Sequence, residues 1–283
     1  MVLLHPAGAV AKQQGHLIVV STLLMLIVIL PVMALTVLFA WRYRKSNTAA
    51  TYTPDWDHST QLELVIWAVP LLIIIALGAV TWINTHTLDP YRRLRTAVKP
   101  ITVEVVALDW KWLFIYPEQG IAVVNDLAAP VDVPINFKIT ASSVMNSFFV
   151  PALAGQIYAM PGMQTELHAI INRAGDYDGF SANYSGAGFS DMRFKFHGMR
   201  DADFAQWVRA AKASGQTLDR EGYLALERPS EHDPVRRYAS VSPDLYEAIV
   251  ARTVTDGAAS ADSRTTSLAP GVGAIGAVAQ ERY

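Results

Sequence analysis

The amino-acid sequence predicts a membrane protein with an N-terminal two-helix transmembrane hairpin, an antiparallel β-sandwich and appended C-terminal helices. Three observations lead to this class. Apolar residues make up 52% of the 283 residues, and long uncharged runs of them lie near the N-terminus. From residue 100 onward, short runs rich in β-branched and aromatic residues are separated by Gly, Pro, Asn or Asp, which is typical of strands. After residue 200, apolar residues recur with helical spacing.

Two uncharged runs are long enough to cross a membrane. Residues 17–41 contain no charged side chain and as a helix would span about 37 Å, against a hydrocarbon core of about 30 Å. Residues 64–82 form a second, shorter run. A cleaved signal peptide is the alternative for the first run, but its apolar core would be shorter and would end at small residues instead of in a basic segment. We therefore predict transmembrane helices over 17–41 and 62–82.

The charges beside the two helices favour one orientation. Arg42, Arg44 and Lys45 directly follow the first helix, which by the positive-inside rule indicates a cytoplasmic loop and an exported C-terminal domain. A second group of cations follows the other helix, so charge alone leaves the opposite orientation open: Arg92, Arg93, Arg95 and Lys99. We treat residues 1–16 as an N-terminal segment and residues 83–99 as a linker.

Residues 100–200 have the pattern of a β-domain. Six runs are predicted as strands: ITVEVVAL, WKWLFIY, GIAVV, VDVPINFKITA, QTELHAII and MRFKFHGM. In the last run Met192, Phe194 and Phe196 alternate with polar residues, as expected of a strand with one buried face. Short strands without intervening helices suggest an antiparallel sandwich or a Greek-key barrel.

Residues 201–252 are predicted to form a helical extension. Its first helix is indicated by four apolar residues at i, i+3, i+4 and i+7, namely Phe204, Trp207, Val208 and Ala211. Asp201 or Asp203 is available as its N-cap, and Ser242-Pro243 is predicted to open a later helix. The stretch ERPSEHDPVRR between them is interpreted as a solvated connection, and residues 253–283 as a disordered tail.

Composition excludes several classes of function. A net charge of −2 and a pI near 6.4 provide no basic face for nucleic acid. The absence of cysteine excludes disulfides and thiolate metal sites in this chain. The seven histidines have no ligand spacing and are interpreted as surface or interface residues: His5, His16, His58, His86, His168, His197 and His232.

Three runs carry a resemblance to a known family: DWKWLFIYPEQGIA, SVMNSFF and GDYDGFSANYSGAGFSDM. Together with the helix hairpin they resemble subunit II of the haem-copper terminal oxidases, and in particular that of the cytochrome bo-type ubiquinol oxidases, from about Val10 to Arg252. The resemblance implies a cupredoxin-like fold for the β-domain. It also implies a complex in the bacterial inner membrane that passes electrons from ubiquinol to oxygen and pumps protons, with the C-terminal domain in the periplasm.

The same resemblance assigns the redox groups to a partner. Haems and copper are expected in subunit I, with subunits III and IV and membrane lipid as further partners and no cofactor bound by this chain. Relatives that oxidise cytochrome c hold a dinuclear copper centre through two cysteines, two histidines, a methionine and a backbone carbonyl. The corresponding positions here are Ser181 and Ser185, Asn146 and Phe189, Met192, and Asn183. Only Met192 is retained, so the resemblance implies a loop kept for the fold and a lost copper site.

Glu63 is open to two interpretations. The run Thr60-Gln61-Leu62-Glu63 fits a capping box, in which the hydroxyl and the carboxylate satisfy each other's backbone N–H groups. The resemblance instead implies that Glu63 lies at the entrance of a proton-uptake path shared with subunit I, and an ionisable residue at a membrane helix end can take that role.

Two further expectations concern packing and the class of function. Trp110, Trp112, Phe114 and Tyr116 alternate, so their rings are expected on one face, packed in the sandwich core or against the partner. The alternative function is a membrane-anchored cupredoxin-like binding or assembly module that works without an oxidase core.

Overall fold

The computed structural model describes residues 2, 5–51, 53–94 and 96–254. Within them, two long helices are followed by two packed β-sheets and a C-terminal group of short helices and strands. The predicted disordered tail, 253–283, lies outside the described residues apart from its first two positions.

The N-terminal hairpin consists of α1 (Ala9–Arg42) and α2 (Thr60–Thr87). With 34 and 28 residues they are about 51 and 42 Å long, so both exceed a hydrocarbon core of about 30 Å. Both are apolar enough to span a membrane, and their large apolar side chains are exposed in the isolated chain. The two predicted apolar helices are confirmed, and both continue past the predicted bounds.

The first turn of α1 is attached to the β-domain. The backbone N–H of Gly8 donates to the carbonyl of Ala152 at 2.8 Å. A side chain at Gly8 would not fit, because a Cβ there would lie 2.9 Å from the carbonyl oxygen of Ile170 and closer still to that of Leu153. The end of the predicted N-terminal segment, 1–16, is therefore helical and packs on the sandwich.

The β-domain is a sandwich of two sheets. Its strands are β1 (Ile101–Leu108), β2 (Lys111–Tyr116), β3 (Ile121–Val124), β4 (Asp126–Pro130), β5 (Pro134–Ala141), β6 (Asn146–Phe149), β7 (Ile157–Ala159), β8 (Thr165–Ile170), β9 (Gly175–Ser181) and β10 (Arg193–Met199). One more strand of these sheets, β12 (Arg236–Tyr238), comes from the C-terminal extension. Strand β11 (Thr217–Leu218) precedes it in the chain and lies outside the two sheets. The two sheets have the strand orders β12-β3-β2-β1-β5-β8 and β4-β10-β9-β6-β7.

The predicted sandwich is confirmed, but two strand pairs differ from the antiparallel prediction. β1 pairs with β5, and β4 pairs with β10, in parallel. The physical reason is the chain path. After the β1-β2-β3 meander the chain crosses to the second sheet as β4 and then returns as β5 beside β1. Because β1 and β5 are joined by this crossover and not by a hairpin, they can run in the same direction.

Both faces of the six-stranded sheet are buried. On one face, fully buried Trp112, Phe114 and Tyr116 pack in the core between the two sheets. On the other, Leu113 and Ile115 pack with residues of the C-terminal extension. Burial on both sides explains why β2 is apolar from Trp112 to Tyr116 instead of alternating.

The C-terminal extension contains α3 (Asp201–Lys212), β11 (Thr217–Leu218), α4 (Arg220–Glu227), β13 (Ser240–Val241) and α5 (Leu245–Val250). The cap prediction for α3 is wrong, because Arg200 occupies the N-cap and no side chain caps the helix. Asp203 instead pairs with Arg200 at 2.9 Å. The predicted start of the last helix is also wrong: Asp244 adopts a left-handed conformation (φ 61°) as its N-cap, so Pro243 precedes the helix.

Candidate functional site

The loop between β9 and β10 closes one end of the second sheet. Ser181 ends β9, a short 3-10 helix covers Ala187–Asp191, and Met192 leads into β10. The N–H of Ser181 donates to the carbonyl of Met192 at 3.1 Å, and the N–H of Ala182 donates to the carbonyl of Ser147 at 2.9 Å. These bonds close the loop and bring it against the start of β6.

Three of the predicted copper-site positions form one hydrogen-bonded cluster. The Oγ of Ser181 lies 3.0 Å from Oδ1 of Asn146 and 3.2 Å from the carbonyl oxygen of Asn183, so its single proton is shared between two acceptors. Asn146 and Ser181 are both buried. Asn183 completes the cluster by donating its side-chain amide to the carbonyl of Met145 at 3.2 Å. These three positions therefore lie together where β6 begins and β9 ends.

The fourth position, Ser185, is held by Trp110. The indole N–H of Trp110 donates to the carbonyl of Ser185 at 2.9 Å. The same ring lies over Gly186 and Gly188, where a Cβ would come within 3.0 and 2.6 Å of ring atoms. Trp110 lies before β2, where it packs both on the loop and against the core cluster that contains the other three rings, as predicted for the four alternating aromatic residues.

The last two positions are apolar and make no polar cluster. Phe189 packs edge-on against Tyr184, with 5.6 Å between ring centroids. Met192 is almost fully buried in the core between the sheets. Its thioether is therefore packed as a core side chain.

These residues do not fit a dinuclear copper centre. Copper is held in such sites by soft thiolate and imidazole donors, whereas serine hydroxyls and asparagine amides are hard neutral groups and a phenyl ring donates no lone pair. The oxygen atoms of Ser181 and Asn146 already bond to each other. In the part of the chain that the structure describes, no three His, Asp or Glu side chains lie together as a candidate metal site.

Glu63 lies in the first turn of α2 and is half-exposed. Its Oε1 lies 2.8 Å from Nδ1 of His58, whose Nε2 lies 3.0 Å from the hydroxyl of Thr60. The capping box is not formed. Ser59 is the N-cap, which shifts Glu63 one position too far along the helix, and the N–H of Glu63 donates to the carbonyl of Ser59 as in any helix.

A cluster that sequence reasoning missed surrounds Asp126. Its carboxylate accepts hydrogen bonds from Nε2 of His197 at 2.8 Å, from the guanidinium of Arg237 at 3.1 Å and from the indole of Trp207 at 3.2 Å. Burial favours the protonated carboxyl, but these three donors together hold the pKa of Asp126 below its usual value. Nδ1 of His197 also contacts Asp176 at 2.6 Å.

The charges around His197 change its titration. The hydrogen bond to Asp126 raises the pKa of His197 to about 8, burial opposes the rise, and Asp176 adds to it. His168 differs: it is buried beside Asn136, and burial lowers its pKa. These two histidines are structural groups of the folded chain, more enclosed than the surface or interface position predicted for them.

The stretch interpreted as a solvated connection also proves structural. The ammonium of Lys111 is buried and donates to the carbonyl of Arg228 at 2.9 Å and to Oγ of Ser230. It lies 3.5 Å from the carboxylate of buried Asp233. Burial lowers the pKa of Lys111, and Asp233 opposes this shift. Thus residues 228–233 supply the partners that let β2 bury a lysine.

Two family models match parts of this chain, and a solved structure is similar to part of it. The family model for the cytochrome c oxidase subunit II periplasmic domain matches residues 118–198, and the model for the COX aromatic rich motif matches residues 212–257. The crystal structure of the periplasmic domain of subunit II of cytochrome oxidase from Bradyrhizobium japonicum is 24% identical, covers 42% of this chain and 99% of its own, and gives a TM-score of 0.40. The hairpin, the sandwich and the family models define the class: a membrane-anchored oxidase subunit II.

Two curated relatives narrow the class. Cytochrome bo(3) ubiquinol oxidase subunit 2 of Pseudomonas putida is 56% identical over 248 residues, which are 88% of this chain and 79% of that relative. Ubiquinol oxidase subunit 2 of Acetobacter aceti is 53% identical over 251 residues, which are 88% of this chain and 81% of that relative. The chain belongs to the family of ubiquinol oxidase subunit 2.

Proposed function

We propose that this chain is the non-redox subunit II of a proton-pumping ubiquinol oxidase in a bacterial inner membrane. The observation that carries the non-redox part is the hydrogen-bonded cluster of Asn146, Ser181 and Asn183, which occupies copper-site positions with hard, neutral donors. In this reading electrons from membrane-dissolved ubiquinol enter the haems and copper of subunit I directly. Reduction of oxygen to water then takes place in that partner, with subunits III and IV completing the complex.

The role of the helices and the sandwich in this complex is structural. Two apolar helices anchor it in the bilayer beside subunit I, and the sandwich stands on the exported side. The cations Arg42, Arg44 and Lys45 support a cytoplasmic loop between the helices, which puts the sandwich in the periplasm.

The test is purification of the solubilised complex with a tag on this chain. We expect haem-bearing subunit I to co-purify, ubiquinol-dependent oxygen uptake, and no more copper per complex than subunit I holds. Reducible copper bound to the sandwich would contradict the non-redox role. Recovery of the chain without a haem-bearing partner would favour the binding or assembly module instead.

We further propose that Glu63 takes up protons at the cytoplasmic entrance of the complex. The support is the half-exposed carboxylate of Glu63, which pairs with the imidazole of His58 and does not cap the helix. Such a pair can exchange protons with water and with each other at the membrane surface.

Replacing Glu63 tests this role. Glu63→Ala should lower both turnover and the number of protons pumped per electron in reconstituted vesicles. Asp57→Asn, at a nearby exposed acid, is the matched control and should leave both unchanged. Unaltered turnover and pumping in the Glu63 variant would dispose of the proton role.

A further inference from the structure

A basic cavity of about 600 Å³ lies where α1 meets the β-domain. One wall is the first part of α1, including Lys12, His16 and Val19, and the other includes His5 and Arg173. The copper-site loop and Glu63 are not among its lining residues. The cavity is therefore separate from the sites described above.

The two walls are fixed to each other by hydrogen bonds. The N–H of Asn172 donates to the carbonyl of Ala7 at 2.9 Å, and the guanidinium of Arg173 donates to the carbonyl of His5 at 3.3 Å. The close approach at Gly8 tightens the same junction. The cavity thus has a defined shape in the folded chain.

The charge of the lining has one sign. Lys12 and Arg173 are permanent cations at neutral pH, and two histidines stand beside them. Among the described residues no carboxylate lines the cavity, and neither cation lies within ion-pair distance of one. Such a lining attracts an anion, and it offers no partner to an ammonium group.

The position of the cavity indicates what kind of anion. Lys12, His16 and Val19 lie on one face of α1, four and three residues apart, and the uncharged run begins at Leu17. The cations therefore sit at the level of lipid headgroups, while exposed Val19 already faces the acyl region. A ligand that satisfies both parts has a phosphate at one end and a hydrocarbon chain at the other.

We propose that this cavity binds the phosphodiester of an anionic glycerophospholipid, with Lys12 and Arg173 on the phosphate and an acyl chain running past Val19. The inference rests on the membrane-anchored placement in the proposed function. Phosphatidylethanolamine is disfavoured because its ammonium would face cations. The bound lipid would join α1 to the β-domain at the membrane surface.

The test uses the delipidated, purified complex, titrated with phosphatidylglycerol in detergent and followed by native mass spectrometry. Wild type should bind one phosphatidylglycerol tightly. The double variant Lys12→Gln/Arg173→Gln should bind it with an apparent Kd raised about 30-fold, because both cations are lost. Each single variant should raise it about 5-fold. Lys212→Gln, at an exposed cation on α3, is the matched control and should not change it.

Three results would overturn the inference: equal Kd values for wild type and the double variant, equal affinity for phosphatidylethanolamine and phosphatidylglycerol, or displacement of the lipid by inorganic phosphate at equal concentration. Thermal unfolding of each variant verifies that a lost site is not a lost fold, and the single variants serve if the double variant unfolds. Haem content of the same preparation tests the proposed function separately, because a complex that contains haem-bearing subunit I can still fail to bind the lipid.

Discussion

Asp126 of β4 accepts a hydrogen bond from Nε2 of His197 of β10 at 2.8 Å, within one sheet of the sandwich. The same carboxylate bonds Trp207 of α3 and Arg237 of β12. One buried charge therefore holds two elements of the extension on the edges of two sheets. Both ring nitrogens of His197 face carboxylates, Nε2 that of Asp126 and Nδ1 that of Asp176, and both can donate only when the imidazole is protonated, so this network depends on pH.

Stability should fall as pH rises through the pKa of His197. Because the pKa is raised from 6.5 to about 8 in the folded chain, the stabilisation is complete below about pH 6.5 and is lost as pH passes 8. The difference is about 2 kcal/mol. Urea unfolding of the solubilised chain from pH 7 to 9, above the range in which Glu104 titrates, should show this slope, and His197→Gln should remove it. His232→Gln, at an exposed histidine 3.5 Å from Asp191, is the control and should retain the slope.

The buried lysine of β2 gives a second prediction. Lys111→Met leaves buried Asp233 with Arg236 at 2.6 Å as its remaining cation, so the free energy of unfolding should drop by about 3 kcal/mol. Adding Asp233→Asn should recover part of this loss, which a double-mutant cycle measures. Lys195→Met, at an exposed pair with Asp178, should cost less than about 1 kcal/mol. Equal costs for the two lysines would contradict a buried charge pair.

The contact between Trp110 and the 3-10 loop gives a third prediction. Gly188→Ala puts a Cβ 2.6 Å from the indole, so the ring or the loop must move, at a cost of about 1 to 3 kcal/mol and with a shift in tryptophan fluorescence. Gly188→Ala should be tolerated better in a Trp110→Phe background, where a smaller ring leaves room. Ala187→Ser, an exposed neighbour in the same loop, should change neither stability nor fluorescence. A full-size effect of Gly188→Ala in both backgrounds would show that the ring contact is not its cause.

Sequence patterns predicted the parts of the fold that depend on local periodicity. The apolar runs of α1 and α2 and the alternation in β10 need no partner to be recognised. Strand β4, with the sequence DLAAP, was missed because Asp, Ala and Pro are weak strand formers, and its pairing with β10 decides its conformation. Strand β9, GDYDGFS, was missed for the same reason.

The residues of the candidate sites were likewise predicted only in part. The resemblance placed Asn146, Ser181 and Asn183 together, although no local pattern relates positions so far apart in the chain. The partners of Lys111 and the bonds of Asp126 to Trp207 and Arg237 were missed, since they arise where the C-terminal extension returns to the sandwich about 80 or more residues later. A charged residue inside an apolar strand, as at Lys111, was the one available indication that a buried partner exists.

Glu104 of β1 gives the last prediction, with the opposite pH dependence to a paired acid. Its carboxyl is buried beneath α5, and burial raises the pKa to about 7, with Glu247 adding to the rise and Lys138 at 3.9 Å opposing it. A raised carboxyl pKa means that the unfolded chain ionises first, so stability is full below about pH 4.5 and decreases as pH rises towards 7. Glu104→Gln stays neutral, and at pH 8 it should be more stable than wild type by about 3 kcal/mol in urea unfolding, with no difference at pH 4. Glu118→Gln, at an exposed acid, should stay within about 0.5 kcal/mol of wild type. A Glu104→Gln variant less stable than wild type at pH 8 would mean that Lys138 compensates the buried charge in full.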